Sequence, residues 1–196
     1  MKIIKYILYL LISLLITSCE LFSLKLQQDY EYVSNPPNNR FEMSAYKFIE
    51  SRKEIDCRLM LEAIDSCDLK AEYEAEDRTY VLLNDVALRS WLNSYKYYQI
   101  KNADRNLLDN LLKQFIGLKS FGALDLTTYA EPIPTLLPDV PLYLSVLPQT
   151  LTQQNPYQVV VNNFAGSKNV TYVITSNIQV DNGFIYVVEK VPAIRR

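Results

Sequence analysis

The chain has 196 residues, 49% of them hydrophobic, with 20 Lys and Arg against 22 Asp and Glu, no histidine, and a formal net charge of −2. Without imidazole there is no Ser–His or Cys–His nucleophile pair and no histidine base, which removes the commonest hydrolase designs. The acidic balance, with no basic run larger than the terminal Arg195-Arg196 pair, argues against DNA or RNA as a partner, and four glycines without a phosphate loop offer no nucleotide site.

The chain opens "MKIIKYILYLLISLLITSCE": Lys2 and Lys5, then an uncharged run from Tyr6 to Ile16, then small polar residues and a cysteine. This is the layout of a secretory signal, and the apolar run is shorter than the roughly 20 residues that a permanent membrane helix needs. Ile16, Thr17, Ser18 and Cys19 resemble the lipobox of bacterial lipoproteins, which implies cleavage after residue 18 and lipidation of Cys19. Each buried methylene contributes about 0.8 kcal/mol, so one acyl chain binds reversibly and two or three hold a protein on a membrane. Loss of residues 1–18 takes two lysines and no acid, leaving 18 Lys and Arg against 22 acids, a net charge of −4. The expected location is the bacterial cell envelope, on the outer membrane, with the lipid anchor as the membrane partner; Glu20 alone does not select a leaflet.

Residues 19–42 have no sustained period and contain the turn-forming cluster "NPPNN", so they read as a flexible tether. One domain is expected over 43–196. Ser44 is placed to cap a short helix carrying Tyr46, Phe48 and Ile49, and Ser51 with Glu54 matches a capping box for a second helix. In that helix Ile55, Leu59 and Ala63 recur every four residues, with Met60 and Ile64 widening the stripe. Cys57 and Cys67 are ten residues apart; along a helix their Cα atoms are about 15 Å apart, beyond the roughly 7 Å reach of a disulfide. Two buried thiols are expected, and no metal site.

The acidic run "EYEAED", Glu72 to Asp77, lacks the spacing of a calcium loop and reads as a solvated connection. Tyr80–Leu83 reads as a strand, followed by a helix begun by Asn84 or Asp85 and buried through Val86, Leu88 and Trp91. A further helix in "DRNLLDNLLKQFIG" presents Leu107, Leu108, Leu111, Leu112 and Phe115, with Gly117 as its end. After that come β-branched and aromatic runs separated by Pro, Asn and Gly: "PLYLSVLP", "YQVVVNN", "VTYVITS" and "GFIYVVEKV". Early helices and late strands predict an α+β fold.

The closing stretch "TSNIQVDNGFIYVVEKV", with "AYKFIES…LMLEAIDSCDL" and "IPTLLPDVPLYLSV" in the same order, resembles the fasciclin domain over about Ser44 to Val191. The resemblance implies a β-sandwich wedge carrying a cluster of N-terminal and central helices. It also implies a tight final hairpin, for which Asn182 and Gly183 supply positive φ angles. The family's first box is degraded here to Leu82, Leu83, Asn84, Asp85, Val86, Ala87 and Leu88. Its Tyr-His pair falls on Gln114 and Phe115, and Tyr186 stands where many members have histidine.

With no enzyme chemistry expected, binding is the expected task, through adhesion or recognition of an extracellular glycan or surface protein. Tyr95, Tyr97 and Tyr98 in "NSYKYYQ" are the candidate ligand-binding residues, because exposed tyrosines offer flat apolar faces with a hydroxyl. The plainer alternative is that one or two of them cover the edge of the core. Tyr30, Tyr32 and Tyr157 have no better claim. The competing reading is a structural or assembly subunit of an outer-membrane or fimbrial complex; a carboxylate-pair glycosidase ranks last.

Overall fold

The computed structural model describes residues 39–147, 158–167 and 170–192. The signal and Cys19, with most of the tether, lie outside those residues, as does Tyr157. The described part begins with three short helices, α1 (Ala45–Ser51), α2 (Arg58–Ser66) and α3 (Lys70–Glu74). Strand β1 (Arg78–Leu83), helix α4 (Asp85–Ser94), a 3₁₀ turn at Ile100–Asn102 and helix α5 (Arg105–Lys113) follow. The rest is β: β2 (Ile116–Gly117), β3 (Glu131–Ile133), β4 (Leu142–Val146), β5 (Val159–Val161), β6 (Thr171–Val180) and β7 (Gly183–Val188).

The α+β class holds. All seven strands join one hydrogen-bonded sheet in the order β2-β1-β7-β6-β5-β4-β3, where the resemblance implied a two-sheet sandwich wedge. Only β1 and β7 run parallel; the other neighbours are antiparallel. The sheet nearly closes on itself, because Gly117 in the first strand of that order bridges Thr135, just past β3 in the last. Two backbone bonds support the closure: Leu118 N donates to Pro134 O (2.8 Å) and Leu136 N to Ile116 O (3.1 Å). Curling hides sheet edges that would otherwise recruit another chain.

Strand β5 pairs with only the first residues of β6, leaving the second half of that edge open. The incoming chain fills it: Phe41 N donates to Gln179 O and Gln179 N to Asn39 O, both at 2.8 Å. Residues 39–42, at the end of the segment expected as tether, are therefore bonded to the sheet.

The helices begin where local chemistry satisfies their free amides. Ser44 Oγ accepts from Lys47 N, as expected. The capping box at Ser51 and Glu54 does not form. Ser51 is the last residue of α1 and its hydroxyl donates to Phe48 O. The next residues fold into a tight turn around Arg52, whose carbonyl accepts from Ile55, Asp56 and Cys57 N and whose guanidinium holds Asp56 at 2.6 Å. Consequently α2 starts at Arg58, Ile55 is 69% exposed, and the buried stripe is Leu59, Met60, Ala63 and Ile64. Its own N-cap, Cys57, makes no side-chain cap. The partner comes from another helix: Asp85 Oδ1 accepts from Leu59 N at 2.8 Å. Asn84 is then the one that caps α4, through Ala87 N.

Other expectations shift in the same way. Val86 is 59% exposed and Leu107 is exposed, because α4 and α5 bury the faces of Ala87, Leu88, Trp91 and Leu92, and of Leu108, Leu111 and Leu112. Helix α5 ends at Lys113, and Gly117 lies in β2. The front of the acidic run is helical, not a loop: Tyr73 in α3 is buried and stacks on Tyr80 with ring centres 5.3 Å apart. Cys57 and Cys67 are free and buried at either end of α2. Burial, with Asp56 adjacent, pushes the Cys57 thiol up to about 12, and burial also raises Cys67.

The final hairpin turns through Asp181 and Asn182, with Gly183 already paired to Val180 as the first residue of β7. Asn182 is absent from the positive-φ positions; Gly183 alone of the pair has one, +153°. A Cβ there would lie 1.9 Å from the carbonyl oxygen of Arg78, so glycine is required where β7 first meets β1. Asn182 works through its buried amide instead. Its Oδ1 accepts from Ala45 N (2.8 Å), and the two hydrogens of its Nδ2 are shared among Tyr73 O (3.0 Å), Ala75 O (2.9 Å) and Tyr80 Oη (2.8 Å). One side chain thus joins α1, α3, β1 and the β6–β7 turn.

Candidate functional site

The sequence-predicted tyrosines are positioned by the way α4 ends. Lys96 takes a left-handed φ of +61°, which lets Tyr97 N reach back to Leu92 O at 2.9 Å, the closure that helices make with a left-handed residue after the cap. That reversal folds Tyr97 over the helix it has just left. Ring centres separate Trp91 from Tyr95 by 5.1 Å, Trp91 from Tyr97 by 6.4 Å, and Tyr95 from Tyr97 by 6.1 Å, the last pair stacked. Contacts of this kind contribute about 0.5–1.5 kcal/mol each beyond area burial.

Tyr98 departs from this group. It is 95% exposed, against 48% for Tyr95, and it lines a surface cleft of about 500 Å³. The structure therefore divides the three candidates: Tyr95 and Tyr97 pack on Trp91 at the core edge, and Tyr98 stands at a concave opening beside them.

Three elements build the cleft. Helix α2 contributes Arg58 and Glu62, α4 contributes Arg89 and Asn93, and the segment after α4 contributes Tyr98, Gln99 and Lys101, over a floor of Leu59 and Leu92. The bond from Leu59 N to Asp85 fixes α2 against α4 at the base of this opening. Arg58 and Glu62, one turn apart, approach to 3.6 Å. Arg89 and Lys101 have no ion-pair partner among the described residues. Three cations and one acid thus converge in a chain of net negative charge. Its volume falls in the range of about 300–1,000 Å³ usual for small-molecule sites.

Sequence reasoning singled out Tyr98, which lines the cleft, and did not single out the cations beside it, which no local run announces. Their only sequence signal is that Arg58, Glu62, Arg89 and Asn93 occupy the polar faces of two amphipathic helices, which is indistinguishable from ordinary solvated surface until the helices are packed. The arrangement can hold an anionic group, offer amides to hydroxyls and stack a ring on Tyr98. No cluster of three or more His, Cys, Asp or Glu side chains suited to a metal occurs among the described residues. None of the described helices is long and apolar enough to cross a membrane.

No family model matches the chain. No curated protein matches it either. Among solved structures, it is similar to the FAS1 domain pair of the insect cell adhesion molecule Fasciclin I, with a TM-score of 0.52 and 17% identity, over 69% of this chain and 44% of that one. The fold is FAS1-like.

The chain thus spans less than half of the domain pair it matches, and at this identity the likeness concerns the backbone arrangement. Within this FAS1-like domain the stretch that carried the resemblance forms the central hairpin β6–β7. Gln114 and Phe115, where the resemblance placed the family's Tyr-His pair, are both buried. Tyr186, in place of the frequent histidine, is fully buried and donates from its hydroxyl to Phe121 O at 2.9 Å; burial raises its pKa. These three buried side chains support packing.

Proposed function

We propose that this chain is a non-enzymatic lipoprotein of the bacterial cell envelope, anchored through Cys19, whose FAS1-like domain binds an extracellular ligand and so mediates adhesion. The observation that carries the reading is the cleft itself: an exposed aromatic face, two side-chain amides and unpaired cations held around one concavity by α2 and α4. Such a mixture suits reversible recognition of a glycan or of a surface protein, with the aromatic face giving contact area and the polar groups giving orientation. The FAS1 pair that the fold resembles comes from a protein described as a cell adhesion molecule, which is consistent with this role.

The test is retention of the purified protein on an array of surface glycans, paired with Tyr98→Ala. Retention that the variant loses supports the reading; absence of binding to every sugar overturns its glycan form and leaves protein adhesion to be sought by co-purification from intact envelopes. Anchoring is tested by the intact mass of the mature N-terminus, and full membrane partitioning of a Cys19→Ala variant would refute it.

An assembly role in a larger envelope complex is the second reading. Fully exposed Leu124 and largely exposed Tyr129 favour it, since both present apolar surface close together in sequence.

A further inference from the structure

Resting on the glycan form of that binding role, we infer that the cleft between α2 and α4 selects acidic oligosaccharides, with Arg89 and Lys101 holding a sugar carboxylate and Tyr98 stacking on a neighbouring ring. Charge is the first ground. The chain is acidic overall, yet Arg58, Arg89 and Lys101 face one opening whose single acid, Glu62, is taken up by Arg58 at 3.6 Å. Arg89 and Lys101 are exposed and have no ion-pair partner among the described residues, so both remain available to an incoming anion.

The kind of anion follows from the groups beside those cations. Arginine presents a planar fork matched to a carboxylate, and lysine adds a point charge. Asn93 and Gln99 bring amide donors and acceptors to the same rim, which suits the hydroxyls of a sugar. Tyr98, nearly free of protein contact, offers its ring face at the edge. A Glu-rich peptide has carboxylates for the cations but no ring to stack on Tyr98. Nucleic acid requires a basic tract far longer than three side chains.

The geometry separates the roles. Arg89 is on α4, and Tyr98 and Lys101 lie beyond its end, past the reversal at Lys96. The bond from Tyr97 N to Leu92 O ties the segment bearing Tyr98 and Lys101 back to the helix bearing Arg89. All three side chains are exposed, so removing them leaves the core in place.

The experiment is calorimetric or interferometric titration of the full mature protein in detergent with an oligogalacturonate, with a malto-oligosaccharide of equal length and with a Glu-rich peptide. The parent protein should bind the acidic sugar about twofold to thirtyfold more tightly than the neutral one, the range that two exposed ion pairs supply. The difference should vanish at about 1 M salt, where screening acts over about 3 Å. The double variant Arg89→Ala/Lys101→Ala should lose the preference and keep the weaker neutral binding, while Tyr98→Ala should weaken both sugars.

Equal affinity for the two sugars, or an acidic preference untouched by the double variant, overturns this inference and leaves the binding role standing. Peptide binding as tight as that of the acidic sugar and insensitive to Tyr98→Ala overturns it in favour of a plain electrostatic contact. Failure of all three probes overturns it, and the glycan array decides separately whether the glycan form of the binding role stands.

Discussion

Replacing Asn182 by alanine should be among the most damaging single changes available to this domain. The buried amide serves four partners on three separate elements: Ala45 N, the carbonyls of Tyr73 and Ala75, and Tyr80 Oη. Ala75 O retains the Tyr80 hydroxyl at 3.0 Å, so its loss is softened. Ala45 N and Tyr73 O are left without that partner inside the protein. Each orphaned buried group costs about 1–3 kcal/mol, so the two together place the variant about 2–6 kcal/mol below the parent. That is a large share of a total stability of about 5–15 kcal/mol.

Urea unfolding followed by circular dichroism measures the difference as a shift in midpoint at constant slope. Asn182→Gly is the informative companion. If Asn182 were needed for turn conformation, glycine would substitute with little loss; if its amide is the junction, glycine should cost as much as alanine. A glycine variant within about 0.5 kcal/mol of the parent, well inside the cost of one orphaned group, would refute the junction argument.

Gly183→Ala should prevent native pairing of β7 with β1, because the added Cβ lands 1.9 Å from Arg78 O, and the sign is loss of folded protein in any expression or melting assay. Asp85→Ala removes the cap that α2 receives from α4, with an expected cost of about 1 kcal/mol in the same urea titration. Cys57 should resist iodoacetamide in the native protein at pH 8.5 and react once the chain is unfolded, because alkylation needs the thiolate and burial, with Asp56 beside it, pushes this thiol up to about 12. The linkage has a definite sign: a folded-state pKa above the unfolded value of about 8.5 gives stability that is whole below that value and is lost as pH rises toward about 12. Melting temperature measured from pH 8 to 11 should therefore fall less steeply in Cys57→Ser.

Much of this domain was readable one element at a time. Asn84 before an amphipathic run, β-branched stretches broken by Asn and Gly, and the spacing of Leu108, Leu111 and Leu112 depend on short-range geometry: a cap three residues from its amide, a period of two or of 3.6. The same local logic identified Cys57 and Cys67 as buried thiols, since the rise of a helix separates them.

What failed were inferences about which side chain partners which group from elsewhere in the chain. Ser51 and Glu54 spell a capping box, but the turn around Arg52 competes for that stretch and Asp85 supplies the missing acceptor from another helix. Asn182 reads as a turn residue, and packing gave its amide four partners distant in the chain. The cleft follows the same rule. Tyr98 was visible as one of a tyrosine group, whereas Arg58, Arg89 and Lys101 were scattered surface charges until α2 and α4 packed side by side. Sequence alone determined composition, the helix and strand periods and the absence of imidazole chemistry, because these are properties of neighbours along the chain. Tertiary structure alone decided which amides share one acceptor and which charges share one concavity, because those depend on distances through space that no local pattern encodes.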